Sequence, residues 1–435
     1  MKRSKFFVVL VLVLALAMVV GGQAFAQGKF SYQSGFQVQN LEGQTATVVI
    51  TYYKQDGSVD TTTNDTIPAN GSKNYFPIDA ASGFNGSVVV SSDREVGSVV
   101  NILGSGGSNA AASYVGTSQG STSVQLPLLM KNNSGFDTWF NVQNTGSSTA
   151  NINVAYSDGT SATASIPVGA SKSFFQASEN HSVAVFSAVI TSDQPVAAAV
   201  VEESSTVMFA YSGFTGGATN PVMPLVNANN SGYITGIQIL NSGGSATDVT
   251  VTYTPSVAGT ACTETQNIPG GQSKTFALAA FANGSNSTCA AGAKFVGSAT
   301  VTANSGSQPL TAIVNQLLPG ANGEAYGSFD PNAAGTTVVL PLIMDRNSGY
   351  FTGFNLLNVG SSASVNCSFT NTSYTISKNL GANAATTEIQ NGQIGDKYVG
   401  SATCTAGSGG KLLAVVNELS TAAGDNFLVY EGVAP

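Results

Sequence analysis

The residues of this 435-residue chain that could do chemistry are few and scattered. The one histidine, His181, lies in the polar stretch 178–182 and reads as a solvated loop residue. One Gly-x-Ser-x-Gly string occurs, Gly116-Thr117-Ser118-Gln119-Gly120. A nucleophile elbow sets such a serine between a strand and a helix and pairs it with a histidine. Here the string runs into 121–127, a linker into a strand. Glycoside hydrolysis needs two carboxyl groups facing one bond. Glu202 and Glu203 are consecutive on a strand, which points them to opposite faces. Asp93-Arg94-Glu95 and Asp193-Gln194-Pro195 read as turns. Asp137 and Asp345-Arg346-Asn347 are too sparse for the converging oxygens calcium needs. The glycine-rich stretches 104–108 and 407–411 lack phosphate-loop spacing and a following helix. No catalytic residue, cofactor or metal site is expected, and the chain is expected not to be an enzyme.

The elements that hold these residues repeat four times. A strand ends in Asn, turns tightly and gives way to a second strand; the landmarks are Asn40, Asn144, Asn241 and Asn358. Their spacings of 104, 97 and 117 residues are the size of small domains and exceed the roughly 20–50 residues of solenoid repeats. Apolar residues alternate with period two, as in 46–53 and 150–156, and Gly, Asn, Ser and Asp interrupt them every eight to twelve residues or so. This predicts an all-β chain of four tandem antiparallel β-sandwiches in an elongated array. The expected boundaries are 27–118, 119–216, 217–333 and 334–435.

Units two to four each open on Pro127, Pro224 or Pro341, followed by Asn-Ser-Gly-aromatic at 133–136, 230–233 and 347–350. Late strands carry Asn101, Glu202, Asn315 and Asn417, and each unit closes on a tyrosine: Tyr114, Tyr211, Tyr326 or Tyr430. These polar positions are expected to hydrogen-bond turns and edges. The four cysteines fall in pairs within single units, Cys262 with Cys289 and Cys367 with Cys404, and predict two disulfides. Aligning unit four on unit three places Cys367 on Val251 and Cys404 on Val301. Seven or eight short strands per hundred residues resemble the immunoglobulin-like sandwich found in tandem in secreted bacterial surface proteins. That resemblance implies a core bridge between two sheets for Cys367–Cys404.

Residues 1–26 read as a signal peptide. Lys2, Arg3 and Lys5 precede an apolar run from Phe6 to Val20, and Ala24-Phe25-Ala26 supplies a cleavage site before Gln27. Export to the cell surface or extracellular space is expected, with no membrane span after cleavage and no lipid anchor. Removing the leader leaves twelve Lys and Arg against 23 Asp and Glu, which disfavours nucleic acid. Charged residues make up 9% of the chain, against about 25% in ordinary soluble proteins. Edge strands are usually guarded by charge, so this surface favours assembly with copies of itself.

Unit one departs from the pattern, because Gln27 stands only nine residues before Phe36. It lacks an opening strand, and the missing strand is an acceptor site for strand complementation. The segment 426–435 is a candidate donor; the alternative is that 27–35 forms a shortened native strand. A second expectation is glycan binding through Phe136, Trp139, Tyr233, Tyr350 and Phe351. The function expected is a non-enzymatic structural protein of the cell surface or matrix, with an adhesin on a stalk as the alternative.

Overall fold

The computed structural model describes residues 9–13, 28–106, 108–278, 286–305, 307–420 and 422–434. Val9–Val13 apart, the expected leader lies outside the described residues. Among the described residues the fold is all-β, with two short 3-10 turns at Gln176–Ser178 and Pro331–Ala333. Among the described residues no helix is long and apolar enough to cross a membrane.

The last repeat shows the plan. Its strands in order are Thr337–Asp345, Tyr350–Asn358, Ala363–Phe369, Thr375–Leu380, Ala384–Gln390, Tyr398–Ala406, Leu412–Ser420 and Leu428–Glu431. They form two four-stranded sheets, first–sixth–third–fourth and fifth–second–seventh–eighth. The pairings of the other three units follow the same plan. In unit two the sixth and seventh strands are one 19-residue strand, Val185–Glu203, shared by both sheets. Period-two burial places the core between the sheets: in Ala150–Tyr156 every second side chain is buried. The two-layer sandwich stands, but the immunoglobulin strand order does not. The third–sixth and second–fifth pairs match that order, whereas the opening strand joins the sixth and the seventh joins the second.

Local chemistry explains the repeated residues. Each landmark Asn is 0–1% exposed and clamps two loops. Asn144 Nδ2 donates to the Ser148 and Ile166 carbonyls at 2.7 and 2.8 Å, and its Oδ1 accepts from Gly146 N at 2.8 Å. Asn40, Asn241 and Asn358 repeat the clamp. The Asn-Ser-Gly strings are two-residue hairpin turns. Ser134 and Gly135 both have positive φ (51° and 86°), as type I′ geometry demands. Pro127, Pro224 and Pro341 sit at bulges where the opening strand slips register. The closing tyrosine of the same unit donates its hydroxyl to the carbonyl of Leu128, Leu225 or Leu342 beside the bulge.

Both disulfides are present. Cys367 and Cys404 are, however, direct register partners on neighbouring strands of one sheet, so the bridge does not join two sheets. Val251 and Val301 are the same pair in unit three, which upholds the alignment and corrects the implied geometry. Cys262–Cys289 ties the start of Cys262–Ile268 to the loop before Phe295–Ala303.

The units do not form an elongated array. The core cluster of unit one includes Trp139, Val201 and Met208 from unit two, and that of unit two includes Ile313 and Ala325 from unit three. That of unit three includes Val415, Phe427 and Val429 from unit four, and that of unit four includes Val99 from unit one. Each unit leans on the next and the last leans on the first, which is a closed ring. Short closing strands with an open edge made this outcome available.

Candidate functional site

The closing strands Ala110–Val115, Met208–Ser212, Asn322–Gly327 and Leu428–Glu431 converge at the centre of the ring. Each is the last strand of its sheet, so one row of its backbone groups needs partners from elsewhere. Buried carboxyl groups supply them. Glu324 accepts from Ser113 N of unit one at 3.0 Å, Ala210 N of unit two at 3.0 Å and its neighbour Ala325 N at 2.8 Å. Asp425 accepts from Met208 N at 2.9 Å and Gly323 N at 3.0 Å, while its own N–H donates to Asn109 O at 2.9 Å. One aspartate thus ties together all four units. Glu431 accepts from Gly327 N. Burial pushes Glu324 well above the ordinary carboxyl range, raises Asp425 to about 8 and raises Glu431.

Two further acids sit at alternate joints. Between units two and three, Asn315 Nδ2 donates to Glu202 Oε2 at 2.7 Å. Between units four and one, Glu418 and Asn101 occupy the corresponding register positions, and the Asn101 side chain works against the burial that raises Glu418. Burial raises both glutamates to about 8. In each pair the second glutamate oxygen and the Asn Oδ1 face no donor: Glu202 Oε1 and Asn315 Oδ1, Glu418 Oε1 and Asn101 Oδ1. Two buried acceptors side by side need a proton between them. A protonated glutamate satisfies both, donating its O–H to Asn Oδ1 while accepting from Nδ2. Strand register places Glu202, Glu418, Gln316 and Ile102 at one equivalent position. Alignment from sequence sets Glu202 beside Asn101 and is one residue out.

The joint between units one and two is built differently. Glu203 accepts from Lys29 N at 2.8 Å and from the Tyr32 hydroxyl, and Lys29 Nζ lies 2.9 Å from Asp137. Trp139 stands where the other units have Gly35, Gly236 and Gly353, and packs on Tyr32 and Phe175.

The five aromatic candidates do not gather on one face. Trp139 is buried in the first joint. Phe136 is half-buried against Phe209, and Tyr233 against Phe427 of unit four. The Tyr350 hydroxyl donates to Asn426 Oδ1 at 3.0 Å, and Phe351 is half-buried opposite Leu419. His181 is not solvated: its side chain is 1% exposed, stacks on Phe186 at 4.0 Å and reaches Asp158 and Gln176. Asp345 clamps a loop by accepting from Gly392, Ile394 and Gly395 N–H groups. Among the described residues no cluster of three or more His, Cys, Asp or Glu could hold a metal ion.

The segment 426–435 is not a free donor. Leu428–Glu431 is the closing strand of unit four, and Val433 exchanges both backbone hydrogen bonds with Val339. Residues 31–35 belong to the second strand of unit one, Ser31–Asn40, so they do not form a shortened opening strand. The opening position of unit one is taken by Val9–Val13, antiparallel to Gly86–Ser92 with Val9 opposite Ser92 and Val13 opposite Val88.

No family model matches the chain, and no curated protein matches it. Among solved structures, a tetra-tandem repeat from the extending region of a large adhesion protein is 12% identical over 98% of both chains, with a TM-score of 0.10. An anti-sigma factor domain-containing protein is 8% identical over 89% of this chain and 96% of that one, at 0.14. Scores this low carry no argument about fold or function.

Proposed function

We propose that this is an exported, non-enzymatic structural protein of the cell surface or matrix, assembled through a strand-acceptor slot in its first unit. One observation carries the reading: Val9–Val13 pairs with Gly86–Ser92 where the opening strands of the other units pair with their sixth strands. Cleavage after Ala26 removes that segment, and 31–35 is already committed to another strand. Unit one is then left with a bare sheet edge over an apolar core, the condition for strand addition. The fitting donor resembles the segments that fill the slot elsewhere, Val124–Met130 and Val338–Met344, a nearly continuous apolar run around a Leu-Pro-Leu bulge. The two disulfides suit an oxidising compartment.

A peptide of residues 121–132 tests the slot against two proteins, residues 1–435 and residues 27–435. It is expected to bind the shorter protein one to one, to break up any filaments it forms, and to leave the longer protein unaffected. A shorter protein that stays dispersed and takes up no peptide contradicts the reading.

A further inference from the structure

A cavity of about 280 Å³ lies at the joint between units four and one. An apolar cavity of about 150 Å³ is already enough to take up a benzene ring. Phe36 and Leu103 from unit one and Leu342, Met344 and Leu428 from unit four make its walls apolar. Gly35 and Phe76 of unit one and Tyr350 of unit four also line it.

The joint between units one and two carries a large ring at the place that Gly35 leaves empty. Gly35 and Trp139 are equivalent, since each precedes the phenylalanine, Phe36 or Phe140, that stands opposite Val100 or Val200. Phe76 corresponds to Phe175, and Tyr350, four residues before Phe354, corresponds to Tyr32, four before Phe36. Leu103 takes the place of Glu203, which makes the open joint the more apolar of the two. At the first joint Trp139 is 3% exposed, with its ring 5.6 Å from that of Tyr32 and 5.9 Å from that of Phe175. At the joint between units four and one both flanking rings are present and the indole is not.

We propose that the cavity between units four and one binds a small neutral aromatic molecule of indole size, held between Tyr350 and Phe76 as Trp139 is held between Tyr32 and Phe175. Ring edges and faces add to what apolar burial alone supplies, and binding covers Phe76, which is 57% exposed. The occupant is neutral because the lining offers a charge no partner. It holds no Lys or Arg, and Glu418 Oε1 and Asn101 Oδ1 are closed to solvent, joined through the glutamate proton. A charged molecule would give up its hydration there and gain no opposite charge. The occupant is a separate molecule because Trp139 is the chain's sole tryptophan and is buried, so a second copy has no indole to insert. This site is independent of the strand slot in unit one.

Titration calorimetry of residues 27–435 at neutral pH tests the proposal with indole and, separately, with tryptamine and indole-3-acetate. Indole is expected to bind one to one and at least tenfold more tightly than either charged analogue. Gly35→Trp, which copies the filled joint, is expected to weaken indole binding at least tenfold. The Cβ it adds falls 2.9 Å from Phe76 Cδ2, and the exposed Phe76 ring can swing away from it. If Gly35→Trp fails to fold, Phe76→Ala at that exposed ring replaces it, with at least fivefold weakening expected. No indole binding at millimolar concentration, equal binding of either charged analogue, or full affinity in the variant overturns the proposal.

Discussion

The joint between units two and three and the joint between units four and one hold the same pair of side chains, Glu202 with Asn315 and Glu418 with Asn101. One is packed by Phe209 against Phe136, and the other carries Leu428 and a cavity of about 280 Å³. The polar pair sets the register of both joints, and the apolar residue two before the closing tyrosine decides whether a joint is filled or open. A repeat can therefore keep its lock while one copy acquires a pocket.

Titration tests what the joints share and gives the largest expected effect. Glu202 and Glu418 lie at about 8 when folded, against an ordinary value of about 4.3. Between those values the folded chain holds protons that the unfolded chain has lost, so stability falls as pH rises. The contribution is fully present below about pH 4 and is lost as pH climbs through about 8. At about 1.4 kcal/mol per unit of displacement, the two joints together contribute on the order of several kcal/mol. Asp425, also at about 8, acts in the same direction. Chemical denaturation from pH 5 to pH 9 should show the decline. Glu202→Gln with Glu418→Gln should lessen it, because an amide at this position can pair without a titrating proton, while Asp425 keeps its share. Asn227 Nδ2 donates to Gln316 Oε1 at 2.9 Å in that manner. An unchanged slope in the double variant would separate the acid–amide pairs from the pH response.

Phe209→Leu should make the filled joint resemble the open one. Loss of ring volume at a residue 2% exposed is expected to cost about 1–2 kcal/mol in urea unfolding. Leu428→Phe should act in the opposite sense, adding about 0.5–2 kcal/mol by filling space. If both variants destabilise equally, the two joints do not differ in packing as described. The smallest effect belongs to the joint between units one and two. Lys29→Ala removes a partly exposed ion pair with Asp137 and should cost about 0.2–1 kcal/mol, diminishing at high salt.

Much of the unit was legible in the sequence, and little of the assembly was. The Asn landmarks, the turn strings, the Leu-Pro bulges and both cysteine pairs are local or fall within one repeat, and period-two patterning carries them. The ring was not legible because it depends on what meets the free edge of each closing strand, and no periodicity records that. Glu324 and Asp425 carried a signal only in hindsight: acids in, or just before, short apolar closing strands of a chain with little charge. His181 was misread because its neighbours 178–182 are polar, although its ring is stacked on Phe186. Trp139 could have been found as the one large residue where three units keep glycine. The Cys367–Cys404 geometry was misjudged because the immunoglobulin resemblance implied a bridge between two sheets, whereas the third and sixth strands that carry the pair are neighbours in one sheet.

Closure of the four units is the claim on which the joints, the cavity and the pH response all depend. Small-angle X-ray scattering of the dilute exported chain at pH 6 tests it most directly. A closed ring predicts a radius of gyration near the roughly 22 Å of a compact chain of this length. A value about twice as large, with the scattering of a rod, would contradict it.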